Sequence, residues 1–144
     1  MIFLDNQTDI EIDLNILKNI TKYLDINKDI ELLIVDNSTI QTINKEQRGI
    51  DKATDVLSFP LENIEHMPLG SIIISANKAT DIADSLKHSL KDEISLLYTH
   101  GLLHLIGYDH EIDDGQMRNK ELDIITHFNL PKSLIVRTTE EINC

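Results

Sequence analysis

The chain is poor in cysteine: Cys144, its last residue, is the only one in 144, so no internal disulfide can form and oxidation gives the fold no help. Proline and glycine are scarce as well, three and five residues. With 41% hydrophobic and 26% charged residues, that excludes a collagenous or disordered chain and leaves an ordinary globular one. Long hydrophobic runs are missing, since no stretch approaches the ~20 apolar residues that span a bilayer. The opening M-I-F-L-D-N-Q-T-D has neither a basic region nor a sustained apolar one. A cytoplasmic protein without a membrane partner is expected. Positive charge is the last deficit: 13 Lys and Arg against 25 Asp and Glu give a formal charge of −12. Such a balance repels polyanions at long range. Nucleic acid could be handled only if a metal and a few Arg or Lys were gathered in one cleft. The length suits one hydrophobic core, and a single domain over residues 1–144 is expected.

What is present is a regular alternation of patterns. Residues 2–5 and 30–36 are β-branched runs. Between them Leu14, Leu17, Ile20, Tyr23 and Leu24 recur at helical spacing behind Asp13, a candidate N-cap. A second helical segment carries Ile40 and Ile43 towards Arg48, and Gly49 fits its C-terminal stop. Strands are expected at 56–59, closed by Pro60, and at 69–75, joined by a turn region E-N-I-E-H-M-P. A helix follows from Ser75 to about His88. Ser89-Leu90-Lys91-Asp92 resembles a capping box. It opens a helix over about 90 to 106 that is apolar on much of its surface and should run through the centre of the fold. A last helix is expected over roughly 114 to 128, and the tail from Pro131 shows no pattern.

The chemistry lies at H-G-L-L-H-L-I-G-Y-D-H, residues 100 to 110. His100 and His104, four apart on a helix, leave the same face one turn apart, about 5–6 Å between Cβ atoms. Gly107 can end the helix in a left-handed conformation and swing His110 towards the same point. Three imidazoles leave the fourth tetrahedral position open, as in a catalytic rather than a structural zinc site, although nickel or copper would suit the same ligands. Asp109 is the nearest candidate carboxylate to hold a histidine tautomer. His66, His88 and His127 lack such partners and are assigned surface or structural roles, and the acidic run Glu111, Asp113, Asp114 a solvated one. In H-E-x-x-H peptidases the residue after the first histidine is the glutamate that activates water. Here it is Gly101. Peptide hydrolysis by that route is not expected, whereas phosphodiester cleavage, which a metal and an arginine can support between them, remains open.

The histidine motif resembles the signature of the YbeY family of bacterial endoribonucleases. The block R-G-I-D-K-A-T-D-V-L-S-F-P, Arg48 to Pro60, resembles that family's other characteristic segment, and Asp113-Asp114 with Met117 and Glu121 is a weaker third match. Together they cover about residues 48 to 121. The resemblance implies an α+β fold, with a mixed, mainly parallel four-stranded sheet flanked by helices and a metal-binding helix on one face. It further implies a single-strand-specific, zinc-dependent endoribonuclease in ribosomal RNA maturation, notably at the 3′ end of the small-subunit RNA, and in ribosome quality control. Its partners would be ribosomal RNA precursors and the ribosome or ribosome-associated proteins. His100, His104 and His110 would be the zinc ligands and Arg48 the catalytic or phosphate-binding arginine. Lys52 could add charge to the same cleft, while Asp55 and Ser58 organise the turn and strand. Ser71 stands where the family usually has aspartate, and Ala53 where proline is common. Two rivals remain: a zinc-dependent hydrolase of another ester or amide, and a non-catalytic ribosome-assembly factor whose zinc is structural.

Overall fold

The computed structural model describes residues 1–61, 66–109 and 114–139. Among these residues, four strands and six helices follow one another as β1 (Ile2–Asn6), α1 (Leu14–Tyr23), β2 (Ile30–Val35), α2 (Asn37–Arg48), β3 (Val56–Pro60), β4 (Gly70–Ser75), α3 (Ala76–Leu86), α4 (Leu90–Leu105), α5 (Gln116–His127) and α6 (Ser133–Thr139). The strands form one sheet in the order β1-β2-β4-β3. β1 and β2 pair in parallel, as do β2 and β4, whereas β3 runs antiparallel to β4. The mixed, mainly parallel α+β sheet is therefore present. Its one antiparallel strand reflects a connection between β3 and β4 too short for a helical crossover.

Because side chains alternate across a strand, the register divides the sheet into two faces. The row Leu4, Leu32, Ile72, Ser58 and the row Asn6, Ile34, Ile74, Val56 lie on one face. That face is covered by Leu17 and Ile20 of α1, Ala76 and Ala79 of α3, and Ile94, Leu97, Tyr98, Leu102 and Leu105 of α4. The opposite face is smaller: Val35, Leu57 and Ile73 pack against Ile40 and Ile43 of α2.

The helices begin and end where local chemistry dictates. Asp13, Asp36, Ser75 and Ser89 each accept a backbone N–H from the first turn that follows them, satisfying donors a helix start leaves over. Gly49 closes α2 at φ 73°, a left-handed conformation that costs glycine little. Twelve of the 16 residues of α4 are buried, so this helix forms the spine of the larger layer, as its sequence implied. The buried Tyr98 hydroxyl meets Thr21 Oγ1 at 2.7 Å and ties α4 to α1. One element went unforeseen: α6 lies in the patternless tail, with Leu134 and Arg137 fully or almost fully buried. Most of the β3–β4 turn region, together with His110, Glu111, Asp113 and Cys144, lies outside the described residues. Among those described, no helix is long and apolar enough to cross a membrane.

Candidate metal centre

His100 and His104 leave the last two turns of α4 on one side, with ring centroids 4.8 Å apart and planes at 82°. His100 is 3% exposed and His104 half-buried, so the pair leads from the core towards the surface. The helix ends at Leu105. Beyond it, Gly107 takes φ 107°, and Gly107 N and Tyr108 N donate back to His104 O and Leu103 O at 3.1 and 3.0 Å. The chain thus turns sharply at the glycine. His110, the third expected ligand, follows this turn and lies outside the described residues. Among the described residues, no group of three or more His, Cys, Asp or Glu side chains is arranged to hold a metal.

The pair is nevertheless oriented. His100 Nδ1 is 2.8 Å from Glu121 Oε1, and both side chains are about 4% exposed. A buried carboxylate at that distance can accept a hydrogen bond from Nδ1–H, the usual way in which a metal-binding imidazole is held. This carboxylate comes from α5, a separate helix, and not from the histidine motif. The available signal was Met117 and Glu121, four apart and both buried, which put Glu121 on the inward face of α5. A cation is also favoured here by the carbonyl end of α4.

Gly101 has a packing role that the sequence did not reveal. A Cβ built on it would sit 2.9 Å from Ile72 Cγ2, so position 101 faces the sheet and the glycine allows α4 to lie close upon β4. A glutamate there would be driven into Ile72 rather than placed for work as a base. The neighbouring Ser71 points to the opposite face, where its hydroxyl donates to Glu31 Oε2 at 2.8 Å. Position 71 is therefore separated from the histidine helix by the thickness of the sheet.

Arg48 ends α2 as an exposed side chain. The loop after it is drawn back onto the helix: Asn44 Nδ2 donates to Lys52 O at 3.0 Å and Gln41 Nε2 to Asp51 Oδ1 at 3.0 Å. Lys52 is exposed. No hydrogen bond or ion pair among the described residues joins Arg48 to the histidine pair. The Arg48 block instead approaches α4 through Asp55, which is 4% exposed and is bridged to Glu93 of α4 by the Arg137 guanidinium. Burial pushes the Asp55 carboxyl up, against the pull of the Arg137 guanidinium. Asp55 Oδ1 also accepts Val56 N at 2.9 Å, so Asp55 organises its turn as expected. The other histidines are structural as expected or stay at the surface. His88 is buried between Ser133 and Glu93, His127 stacks on Tyr23 with centroids 4.0 Å apart, and His66 is exposed.

A family model described as Endoribonuclease YbeY matches residues 4–129. The chain belongs to the YbeY family. Curated relatives named Endoribonuclease YbeY include one from Nautilia profundicola, 55% identical over 97% of this chain and 100% of its own length. One from Helicobacter pylori is 54% identical over the same shares, and one from Campylobacter jejuni is 57% identical over 87% of this chain and 93% of its own. The solution structure of a Thermotoga maritima protein matches with a TM-score of 0.59 at 25% identity, covering 90% of this chain and 92% of that one. The family match embraces both the Arg48 block and the histidine helix, and it stops short of α6.

Proposed function

We propose that this chain is a zinc-dependent endoribonuclease that cuts single-stranded RNA, acting on ribosomal RNA precursors, notably the 3′ end of the small-subunit RNA, and in ribosome quality control. A cytoplasmic location and partners on or around the ribosome belong to the same reading. The observation that carries it is the His100–His104 pair with Glu121 locked on His100, in a chain whose relatives bear the name endoribonuclease. His100, His104 and His110 would hold the ion, and two imidazoles on one helix face with a buried carboxylate behind the first suit zinc. Bound there, zinc supplies a Lewis acid able to polarise a phosphoryl oxygen.

The chain's own groups do the rest. Glu121 fixes the His100 tautomer and ring plane. Arg48 brings a planar fork of donors that matches two phosphate oxygens and meets the charge that develops on them. Gly101 supplies no base, which argues against peptide hydrolysis and so against the rival reading as an amide hydrolase. Binding an anionic chain with a protein of charge −12 needs the cations of one small cleft, so affinity should fall steeply with salt.

The test sets single-stranded RNA and peptide substrates side by side, before and after chelation. RNA cleavage that is lost on chelation and restored by zinc is expected, with peptides left intact. Cleavage unaffected by chelation would leave the metal without a role. A zinc-loaded protein inert on every RNA would favour the assembly-factor reading. Product ends add the route of attack, because only the RNA's own 2′-hydroxyl yields a 2′,3′-cyclic phosphate.

A further inference from the structure

The described residues hold a second buried polar cluster, outside the histidine pair. Arg137 of α6 is 2% exposed. Its Nε donates to Glu93 Oε2 at 2.9 Å, and its Nη2 donates to Asp55 Oδ2. Glu93 Oε1 meets His88 Nε2 at 2.9 Å, and His88 Nδ1 meets Ser133 Oγ at 2.9 Å. Ser133 is the first residue of α6, so the circuit leaves that helix and returns to it. Burial works against the charge of Arg137, but the Glu93 and Asp55 carboxylates outweigh it and push its pKa up. The guanidinium therefore stays charged between two acids.

Fastening α6 does not require this cluster. Leu134 is fully buried with Leu96 and Ile125, and well-packed apolar residues commonly stabilise a fold as well as a buried ion pair does. What the cluster adds is a fixed position for Asp55. That residue ends the loop whose other end is Arg48, and residues 49–55 contain no helix or strand. The loop is thus pinned at both ends: at its start by the turn at Gly49 and the Asn44 contact, and at its finish by Asp55. There Val56 N, Thr54 Oγ1 and Arg137 all donate to the Asp55 carboxylate, and Asp55 O accepts Ser75 N at 2.9 Å. Of the three donors to the carboxylate, Arg137 alone comes from outside the turn, 82 residues along the chain.

We propose that Arg137 is a positioning residue: by clamping Asp55 between Glu93 and the β3 edge, it fixes the loop that leads from Arg48 into β3. This inference rests on the reading of Arg48 given above. It gives the segment beyond the family match, which ends at residue 129, a part in the reaction. A displacement of about 1 Å in a group that meets the transition state can cost on the order of 10²-fold in rate, so a slackened loop should lower turnover while leaving the metal in place.

The experiment compares Arg137→Lys, which keeps the charge but cannot fork to both acids, with Asp55→Asn and with Leu134→Ala, which thins the apolar packing of α6 but leaves every member of the cluster to hold that helix in place. Each variant is assayed for kcat and KM on single-stranded RNA, and for hydrogen exchange of the backbone amides of residues 49–56. Arg137→Lys and Asp55→Asn should retain zinc, lose roughly 10- to 100-fold in kcat with KM little changed, and exchange faster in that segment. Combining the two should cost no more than the worse single change, because both act at one contact. Leu134→Ala should lower Tm and keep the parent kcat and exchange. Parent turnover and parent exchange in Arg137→Lys would overturn the proposal, as would an equal loss of kcat in Leu134→Ala. Should Arg137→Lys fail to fold, Asp55→Asn decides by the same two readouts. A parent protein that cuts no RNA refutes the proposed function, whereas the exchange comparison still judges the clamp.

Discussion

The two ends of α4 each carry a buried histidine–carboxylate contact of nearly the same length. His88 Nε2 lies 2.9 Å from Glu93 Oε1 at the start, and His100 Nδ1 lies 2.8 Å from Glu121 Oε1 near the end. The surroundings of the two contacts differ. Both nitrogens of His88 are engaged by protein side chains, and Glu93 goes on to an arginine, so the ring is a closed member of a structural circuit. His100 has a carboxylate from another helix on Nδ1 and a second imidazole beside it on the same helix face. The distance and burial of a histidine–carboxylate pair therefore do not reveal its role. What stands on the ring's other side does.

The largest expected difference between the two ends concerns turnover. Arg48→Ala should keep zinc and fold yet cut RNA more slowly by on the order of 10²–10³, the loss of one preorganised donor to a developing oxyanion. Arg48→Lys should recover little, lacking the planar fork. Parent rates in either variant would return Arg48 to the surface. Next comes metal affinity. Glu121→Gln should weaken zinc binding by about 10- to 100-fold in competition with a chelator. His88→Leu should leave zinc affinity unchanged and instead lower stability by about 1–3 kcal/mol through the partners it strands. Equal zinc loss in both would erase the distinction between the two contacts.

Smaller effects probe the helix between them. Gly101→Ala should cost about 1–3 kcal/mol in denaturant unfolding by overpacking against Ile72, and an unchanged midpoint would show that α4 can lift off the sheet freely. Tyr98, midway along the helix, supplies a control that involves neither histidine. Burial pushes its hydroxyl up to about 12, against the opposing Thr21 hydrogen bond. The unfolded chain gives up that proton near its ordinary value of about 10, so between the two values the folded chain binds more protons. The stabilisation is whole below pH ~10 and is lost as pH rises through about 12, by up to about 3 kcal/mol. Tyr98→Phe should flatten stability over that window, and an identical alkaline slope in the variant would assign the slope elsewhere.

Much of this arrangement is legible in the chain because its cause is local. Asp13 and Ser89 announce helix starts through their side-chain oxygens, Gly49 announces a stop through its φ, and the four-residue spacing of His100 and His104 fixes a shared face. What could not be read depends on contacts made far along the chain. Glu121 reaches His100 across 21 residues, and Arg137 reaches Glu93 across 44. No periodicity in the tail marks α6, whose burial rests on Leu134 and one paired arginine. Gly101 could be read as the absence of a catalytic glutamate but not as room for Ile72, because that requires the helix to be docked on β4. The antiparallel setting of β3 likewise came from family resemblance, since a short β-branched run looks the same in either direction.

The most direct measurement of the central claim is metal analysis of the purified protein beside its His104→Ala variant. Two imidazoles hold zinc poorly where three hold it well. The expected result is about one zinc per chain in the parent, with both zinc and RNA cleavage lost in the variant. Full zinc occupancy in His104→Ala, or RNA cleavage by a parent protein stripped of metal, would contradict a histidine-held zinc at the end of α4.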